Sequence, residues 1–349
     1  MKIFLAKQFF RVGDLIYNYN KIIDIYNQSI KEGCDLLIFS EMAITGFPCY
    51  ELLQNRDFID NTNNYIEKLV DYTQGKKTRI LLGCPYFVEE SNKNGIIEKS
   101  QLYNSAILIS DGYIDGISSK TTISKNNILD EYKYFDTEFV LKSISYENDN
   151  FDILIGDDIQ NNKNILFLKE RDTDFILSLD SSLQTQICLQ EKQLSKIAKW
   201  THKPIIYINN FSYDINKCYQ FNGNIMIYTS DGKNIYNNHI IQEDIIKINI
   251  GTKEGQTCIN VLNKKKKSND LFINVFARNY ENYKIIYEIT KDNLHKYHNN
   301  VKLITFNDKL NNTNIEYIDY HKYIKDLPLT STIKKEIVNY LFSDYILFQ

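Results

Sequence analysis

The sequence predicts an α/β protein in which two β-sheets pack against each other and helices cover their outer faces. Two observations carry this. Short apolar strands alternate with amphipathic helices over the first third of the chain, which predicts parallel pairing with right-handed crossovers. Hairpins then interrupt that rhythm, and nothing repeats at a fixed period. At 349 residues the chain is too long for one small core, so one large domain with an appendage is expected.

Lys2–Gln8 reads as the first strand, and Gly13–Lys31 as a helix with apolar residues near helical spacing, closed by Gly33. Leu36–Phe39 is a buried strand, Asn63–Thr73 a helix, and Arg79–Gly83 a third strand. Leu102–Ser110 and Tyr113–Ser118 form a hairpin about Asp111-Gly112. Asp152–Ile155, Asn164–Leu168 and Phe175–Leu179 read as further strands, and Gln184–Trp200 as a helix. Pro204–Asn209 is a buried strand; Asn224–Thr229 and Lys233–Tyr236 make a second hairpin.

Near residue 250 the character changes, so the expected domains are 1–250 and an extension, 251–349, whose role the pattern does not give. Asn263–Asn269, with four lysines, reads as a solvated linker rather than a polyanion site. Beyond it lie strand-like pieces at Lys284–Ile289 and Val301–Phe306 and an amphipathic helix at Ile333–Leu347.

Hydrophobic content of 43%, charge of 24% and a net charge of −3 describe a soluble globular chain with no electrostatic case for nucleic acid. No signal peptide is evident, and no apolar run approaches the roughly 18 residues that span a membrane. The six cysteines (Cys34, Cys49, Cys84, Cys188, Cys218, Cys258) form no Cys-x-x-Cys pair, so neither zinc nor a disulfide framework is expected, and a reducing cytoplasm fits.

The chemistry gathers at strand ends. Glu41 follows Leu36–Phe39, Lys120 follows the first hairpin, and the stretch Phe151–Gln160 runs as a buried strand into Gly156-Asp157-Asp158. A carboxylate, an ammonium and a nucleophile meeting at one crevice would make an amidase: the first deprotonates the nucleophile and the second stabilises the oxyanion. Taken singly, such a glutamate reads as a helix cap and such a lysine as a solvated charge. The residue at the strand end is glycine, which has no side chain to react.

Phe39-Ser-Glu-Met-Ala-Ile-Thr-Gly-Phe-Pro-Cys-Tyr-Glu-Leu-Leu53 resembles the stretch around the catalytic glutamate of the nitrilase (carbon–nitrogen hydrolase) superfamily. Within that superfamily it is similar to the glutaminase domain of glutamine-dependent NAD synthetase, which reads Pro-Glu-Leu-x-x-Thr-Gly-Tyr-Pro-x-x-Asp-Leu-Leu. Val12-Gly-Asp14 fits that family's opening, and Lys120 followed by Asp130-Glu-Tyr-Lys-Tyr-Phe135 resembles its lysine motif at equal spacing. Ile155–Gln160 falls where the family has Ile-Cys-Glu-Asp-x-Trp, and Tyr207–Asn209 and Phe221–Gly223 echo two later signatures. The resemblance covers about residues 1–245 and implies a four-layer α-β-β-α sandwich with a C-terminal extension.

Carried over by position, Glu41 would be the general base, Lys120 the oxyanion partner and Glu131 a nearby acid that orients them. The nucleophilic cysteine falls on Gly156, and the tyrosine that helps hold the substrate glutamine falls on Asn126. Family Glu becomes Asp157, family Trp becomes Gln160, and the pocket's Ser-Pro is lost within Ser178–Leu183. Without a thiolate no thioester forms, and deleting a nucleophile removes on the order of 10⁶ in turnover. Cys84 and Cys49 are the candidates for a relocated nucleophile. The synthetase half of that family carries Ser-Gly-Gly-x-Asp-Ser, and this chain contains no Ser-Gly-Gly.

The resemblance therefore implies a non-catalytic relative of a glutaminase domain, kept for assembly as a homo-oligomer or with a separate synthetase-type subunit, and needing no cofactor or metal. Its alternatives are a hydrolase acting on another carbon–nitrogen substrate and a module binding a small amide or acid.

Overall fold

Where apolar residues run unbroken, the strands pair parallel; where they alternate, hairpins form. In the computed structural model, which describes residues 1–91, 97–123, 130–146, 149–183, 186–214, 219–238, 243–253, 256–263, 271–275, 301–305 and 317–318, β1 (Lys2–Lys7), β2 (Leu36–Phe39) and β3 (Arg79–Ser91) are parallel neighbours, with Leu5 beside Ile38 and Ile38 beside Leu81. β4 (Ile97–Ser110) returns antiparallel to β3, and β5 (Tyr113–Ser119) folds back on β4 through Asp111-Gly112.

The second sheet is laid down by β6 (Ser143–Tyr146), β7 (Asp149–Ile155), β8 (Phe175–Asp180) and β9 (Ile205–Asn209). β7, β8 and β9 are parallel, Ile155 beside Leu179 and Leu179 beside Ile208. A ribbon of β10 (Phe211–Asp214) and β11 (Tyr219–Asn222) follows, and β12 (Ile225–Tyr228) and β13 (Asn234–Asn238) then close that sheet in the order β13-β12-β9-β8-β7-β6. β14 (Asp244–Lys253) and β15 (Gln256–Val261) return to the first sheet, giving β15-β14-β1-β2-β3-β4-β5.

Side-chain alternation then sets the layers. Leu5, Ile38, Leu81 and Leu108 of the first sheet pack against Ile153, Leu177, Ile206 and Ile225 of the second. On the first sheet's other face, Phe4, Leu37 and Leu82 meet Ile22 and Tyr26 of α1 (Leu15–Lys31) and Ile66 and Leu69 of α2 (Arg56–Thr73). On the second sheet's other face, Leu154, Ile176 and Tyr207 meet Leu168 of α3 (Asn162–Glu170) and Leu194 and Ile197 of α4 (Ile187–Thr201). The expected α-β-β-α order is the observed one.

Three expectations need correction or extension. Asn164–Leu168, read as a strand, is helix α3: the Asn161 side chain caps it by accepting from Lys163 N, and Asn164 and Leu168, one turn apart, are its buried residues. α2 begins seven residues before the expected Asn63, because Asn55 accepts from the backbone N–H of Asp57 and Phe58 and starts the helix there. The first sheet also continues past residue 250, the expected boundary, since β14 and β15 pair Gly251 with Cys258.

A second unit, spanning Tyr213–Tyr219 and Lys265–Gln349, contributes β16 (Leu271–Val275) and β17 (Val301–Thr305), which are parallel, and β18 (Tyr317–Ile318), antiparallel to β17. The expected strand at Lys284–Ile289, the helix at Ile333–Leu347 and the lysine run lie outside the described residues. Among the described residues no helix is long and apolar enough to cross a membrane.

Candidate active site

Glu41 leaves β2 in a turn that presses onto β3, and Gly83 is what allows the approach. A β-carbon there would lie 2.5 Å from Ser40 O and 2.6 Å from Glu41 Cα, both backbone atoms with nowhere to go. Met42 follows in the left-handed region at φ 55°. Asn210, just beyond β9, holds the turn from the other sheet: its Nδ2 donates to Glu41 O at 3.0 Å and its Oδ1 accepts from Ser40 Oγ at 3.3 Å.

Lys120 leaves β5 beside the end of β7. Thr121 fixes it there, donating its N–H (2.9 Å) and its hydroxyl (2.8 Å) to Asp158 Oδ1, while Asp158 Oδ2 accepts from Ile155 N at 3.1 Å. The turn after Gly156 is thereby tied to Thr121, the residue that follows the lysine. Burial pushes the Asp158 carboxyl up to about 6, against the pull of the Thr121 and Ile155 hydrogen bonds and of Lys120.

The sequence-predicted trio Glu41, Lys120 and Glu131 does come together, and all three are buried. Lys120 Nζ lies 2.6 Å from Glu131 Oε2 and 3.4 Å from Glu41 Oε1. Asn104 of β4 completes the group, its Nδ2 donating at 2.6 Å to Glu41 Oε1 and at 2.6 Å to Glu131 Oε1. Burial raises the Glu41 carboxyl to about 7, with Lys120 pulling it down and Glu131 pushing it further up. Burial by itself would lower the Lys120 ammonium, yet Glu131 and Glu41 beside it prevail and hold it charged well above the usual lysine range.

Gly156 sits against this cluster at φ +50°. A β-carbon on it would lie 2.6 Å from Lys120 Nζ and 3.4 Å from Glu41 Oε1, so the lysine head occupies the direction a side chain would take. The position therefore faces the Glu41 carboxylate and the Lys120 ammonium, as the resemblance implies, and carries no side-chain atom of its own. Asp157 lies close enough to Lys120 to favour its charge, and Gln160 is exposed, donating to Asp157 Oδ1 at 3.4 Å. Asn126 lies outside the described residues.

Neither candidate cysteine hydrogen-bonds to Glu41 or Lys120. Cys84 belongs to the apolar layer between the first sheet and α1 and α2, and burial alone raises its thiol well above the usual range. The Cys49 thiol donates to Thr45 Oγ1 at 3.7 Å, and burial pushes it up to about 12. A thiol so raised is protonated near neutral pH and a poor nucleophile. Cys218 lies outside the described residues.

Sequence pattern alone missed Asn104, Thr121 and Asn210. Asn104 carried a signal, being an amide inside the strand-like run Leu102–Ser110, where a buried polar group needs partners. Thr121 and Asn210 take their roles only through contacts made across the fold, which spacing does not show.

The carbon–nitrogen hydrolase family model matches residues 6–258. A glutamine-dependent NAD(+) synthetase of Synechocystis sp. is 25% identical over 258 residues, 70% of this chain and 45% of that protein. The Thermotoga maritima protein of the same name is 23% identical over 258 residues, 73% of this chain and 42% of its own length. This chain thus spans less than half of each. Among solved structures, the glutamine-dependent NAD+ synthetase of Acinetobacter baumannii in complex with ADP superposes at a TM-score of 0.65 with 22% identity, over 84% of this chain and 52% of that one. An amidase from Nesterenkonia sp. superposes at 0.58 with 14% identity, over 71% and 89%; both likenesses are of fold. The layered sheets, the clustered Glu41, Lys120 and Glu131, and a family match across more than half of its residues agree that this chain belongs to the carbon–nitrogen hydrolase family.

Proposed function

We propose that this chain is a pseudoenzyme of the carbon–nitrogen hydrolase fold, derived from a glutaminase domain of the NAD synthetase type. In this reading it does not hydrolyse glutamine through a thioester, and it is retained for assembly, with itself or with a separate synthetase-type subunit. The supporting observation is Gly156: the backbone faces Glu41 and Lys120, the lysine head stands where a side chain would go, and no described thiol hydrogen-bonds to either. An amide attacked at this place would find a base and an ammonium but no thiol, and loss of that one group leaves only what binding and charge provide.

A second reading, hydrolysis of another carbon–nitrogen substrate, is favoured by the intact ion cluster, since Glu41 near pH 7 is suited to be a general base. A third, capture of a small amide or acid beside Lys120, rests on the same cluster. Ammonia release separates these readings. The purified chain given glutamine is expected to release none above background; steady release, abolished by Cys49→Ala or Cys84→Ala, would overturn the pseudoenzyme reading. An amide other than glutamine hydrolysed in a Glu41-dependent way would establish the second reading. A thermal shift with an amide or acid that vanishes in Lys120→Ala would favour the third.

A further inference from the structure

The helices over the second sheet carry unpaired positive charge in a chain whose net charge is −3. On α4, Ile187, Leu194, Ile197 and Ala198 are buried, which turns Leu189, Lys192, Lys196 and Lys199 to the opposite, exposed face at helical spacing. On α3, with Asn164 and Leu168 buried, Lys163 and Leu166 are exposed. Lys169 joins the two helices, its Nζ lying 4.5 Å from the centre of the exposed Trp200 ring. Leu166 is 52% exposed and Leu189 68%, so the face sets bare aliphatic groups among its charges.

Nothing nearby neutralises those charges. Among the described residues Lys163, Lys192, Lys196 and Lys199 form no ion pair, whereas Lys142, Lys203 and Lys247 each do. Of the acids beside them, Glu191 accepts from Asn237 Nδ2 at 2.7 Å and Asp231 from Lys233 N at 3.3 Å, while Glu170 is exposed at the end of α3. The occupant that complements this face is therefore anionic. Protein interfaces are depleted in lysine and enriched in arginine. Here the exposed cations are lysines, and the nearby Arg171 turns to the buried Asp152 at 3.0 Å. Lysine stems lying along aliphatic groups, with their heads free to reach anions, suit a layer of lipid headgroups, where each ammonium adds attraction within a Debye length.

We propose that the α3–α4 face docks on an anionic lipid surface, with Lys192, Lys196 and Lys199 at the headgroups and Leu166 and Leu189 entering beneath them. The contact is peripheral, because the inner faces of both helices are already buried against the second sheet. The inference goes beyond the pseudoenzyme reading and does not depend on Gly156.

The test floats the full chain with vesicles of phosphatidylcholine alone and with vesicles in which about 30% of the lipid is phosphatidylserine. Binding is expected to the anionic vesicles only, and to weaken as salt is raised. Lys192→Gln, Lys196→Gln and Lys199→Gln together should weaken it roughly 10²-fold, about fivefold for each lysine. Leu166→Ser with Leu189→Ser should weaken it roughly 10-fold. No binding, or equal binding to neutral vesicles, overturns the proposal. Binding unchanged in the triple lysine variant does so too, and moves the attraction elsewhere, as to the lysine run Asn263–Asn269. An oligomer that the same substitutions dissolve would give the face to a second copy and likewise overturns it. Should the triple variant fail to fold, amine acetylation of the wild-type chain decides. Anionic vesicles should shield Lys192, Lys196 and Lys199 relative to the exposed Lys68 of α2, and equal labelling refutes docking. Glutamine is absent from these assays, so failure here and failure of the pseudoenzyme reading show up separately.

Discussion

An ammonium shared between two buried carboxylates makes Lys120 the residue on which the site's stability turns. Removing one member of a buried ion pair leaves an uncompensated charge and costs about 3–5 kcal/mol. Lys120→Met should therefore lower the unfolding free energy read from urea melts by that scale, and adding Glu131→Gln should recover part of the loss because the stranded charge disappears. Acidity gives a second expectation. Glu41 rises from an ordinary 4.5 to about 7 on folding, so between those values the native state binds more protons than the unfolded chain and stability falls as pH rises. Asp158 acts in the same direction between 3.8 and about 6. Lys120, held above its ordinary 10.5, stabilises fully below that value and loses its contribution only as pH climbs through its folded pKa. Urea melts across pH 5–8 should thus show stability declining toward neutrality, with the decline between 6 and 7 flattened in Glu41→Gln; an unchanged slope in that variant would mean Glu41 titrates normally.

At the scale of elements, the site is made by strand ends brought against one another. The close approach of the Glu41 turn to β3 leaves no room for a methyl group at Gly83. Gly83→Ala should displace that turn and destabilise the chain by about 1–3 kcal/mol, as overpacking does, measurable as a lowered Tm. The Phe151 and Phe175 rings, on the adjacent strands β7 and β8, stack with centroids 5.2 Å apart between the sheets, so the strand that runs into Gly156 is bound to its neighbour by core packing as well as by backbone pairing.

For the whole molecule, the proposed assembly role makes a prediction of its own. Light scattering of the purified chain should give a stable oligomer, or the native protein should co-purify with a synthetase-type subunit; a strict monomer with no partner would count against retention for assembly.

Much of this was readable in order along the chain. Leu36–Phe39 as a buried strand, the Asp111-Gly112 hairpin and the helix ending at Lys31 follow from local apolar spacing and turn residues, which act within a few positions. The family resemblance also grouped Glu41, Lys120 and Glu131, and the fold brings the three side chains together. Asn164–Leu168 was misread because five residues of mixed polarity fit either period, and the Asn161 cap decides between them. Sequence alone determined most of the parallel strands, the family motifs and the glycine at position 156. Only the tertiary structure decided that Lys120 fills the space beside that glycine and that Asn210 joins Ser181 to the Glu41 backbone carbonyl, because such contacts join residues up to 169 positions apart and depend on sheet register, not on local pattern.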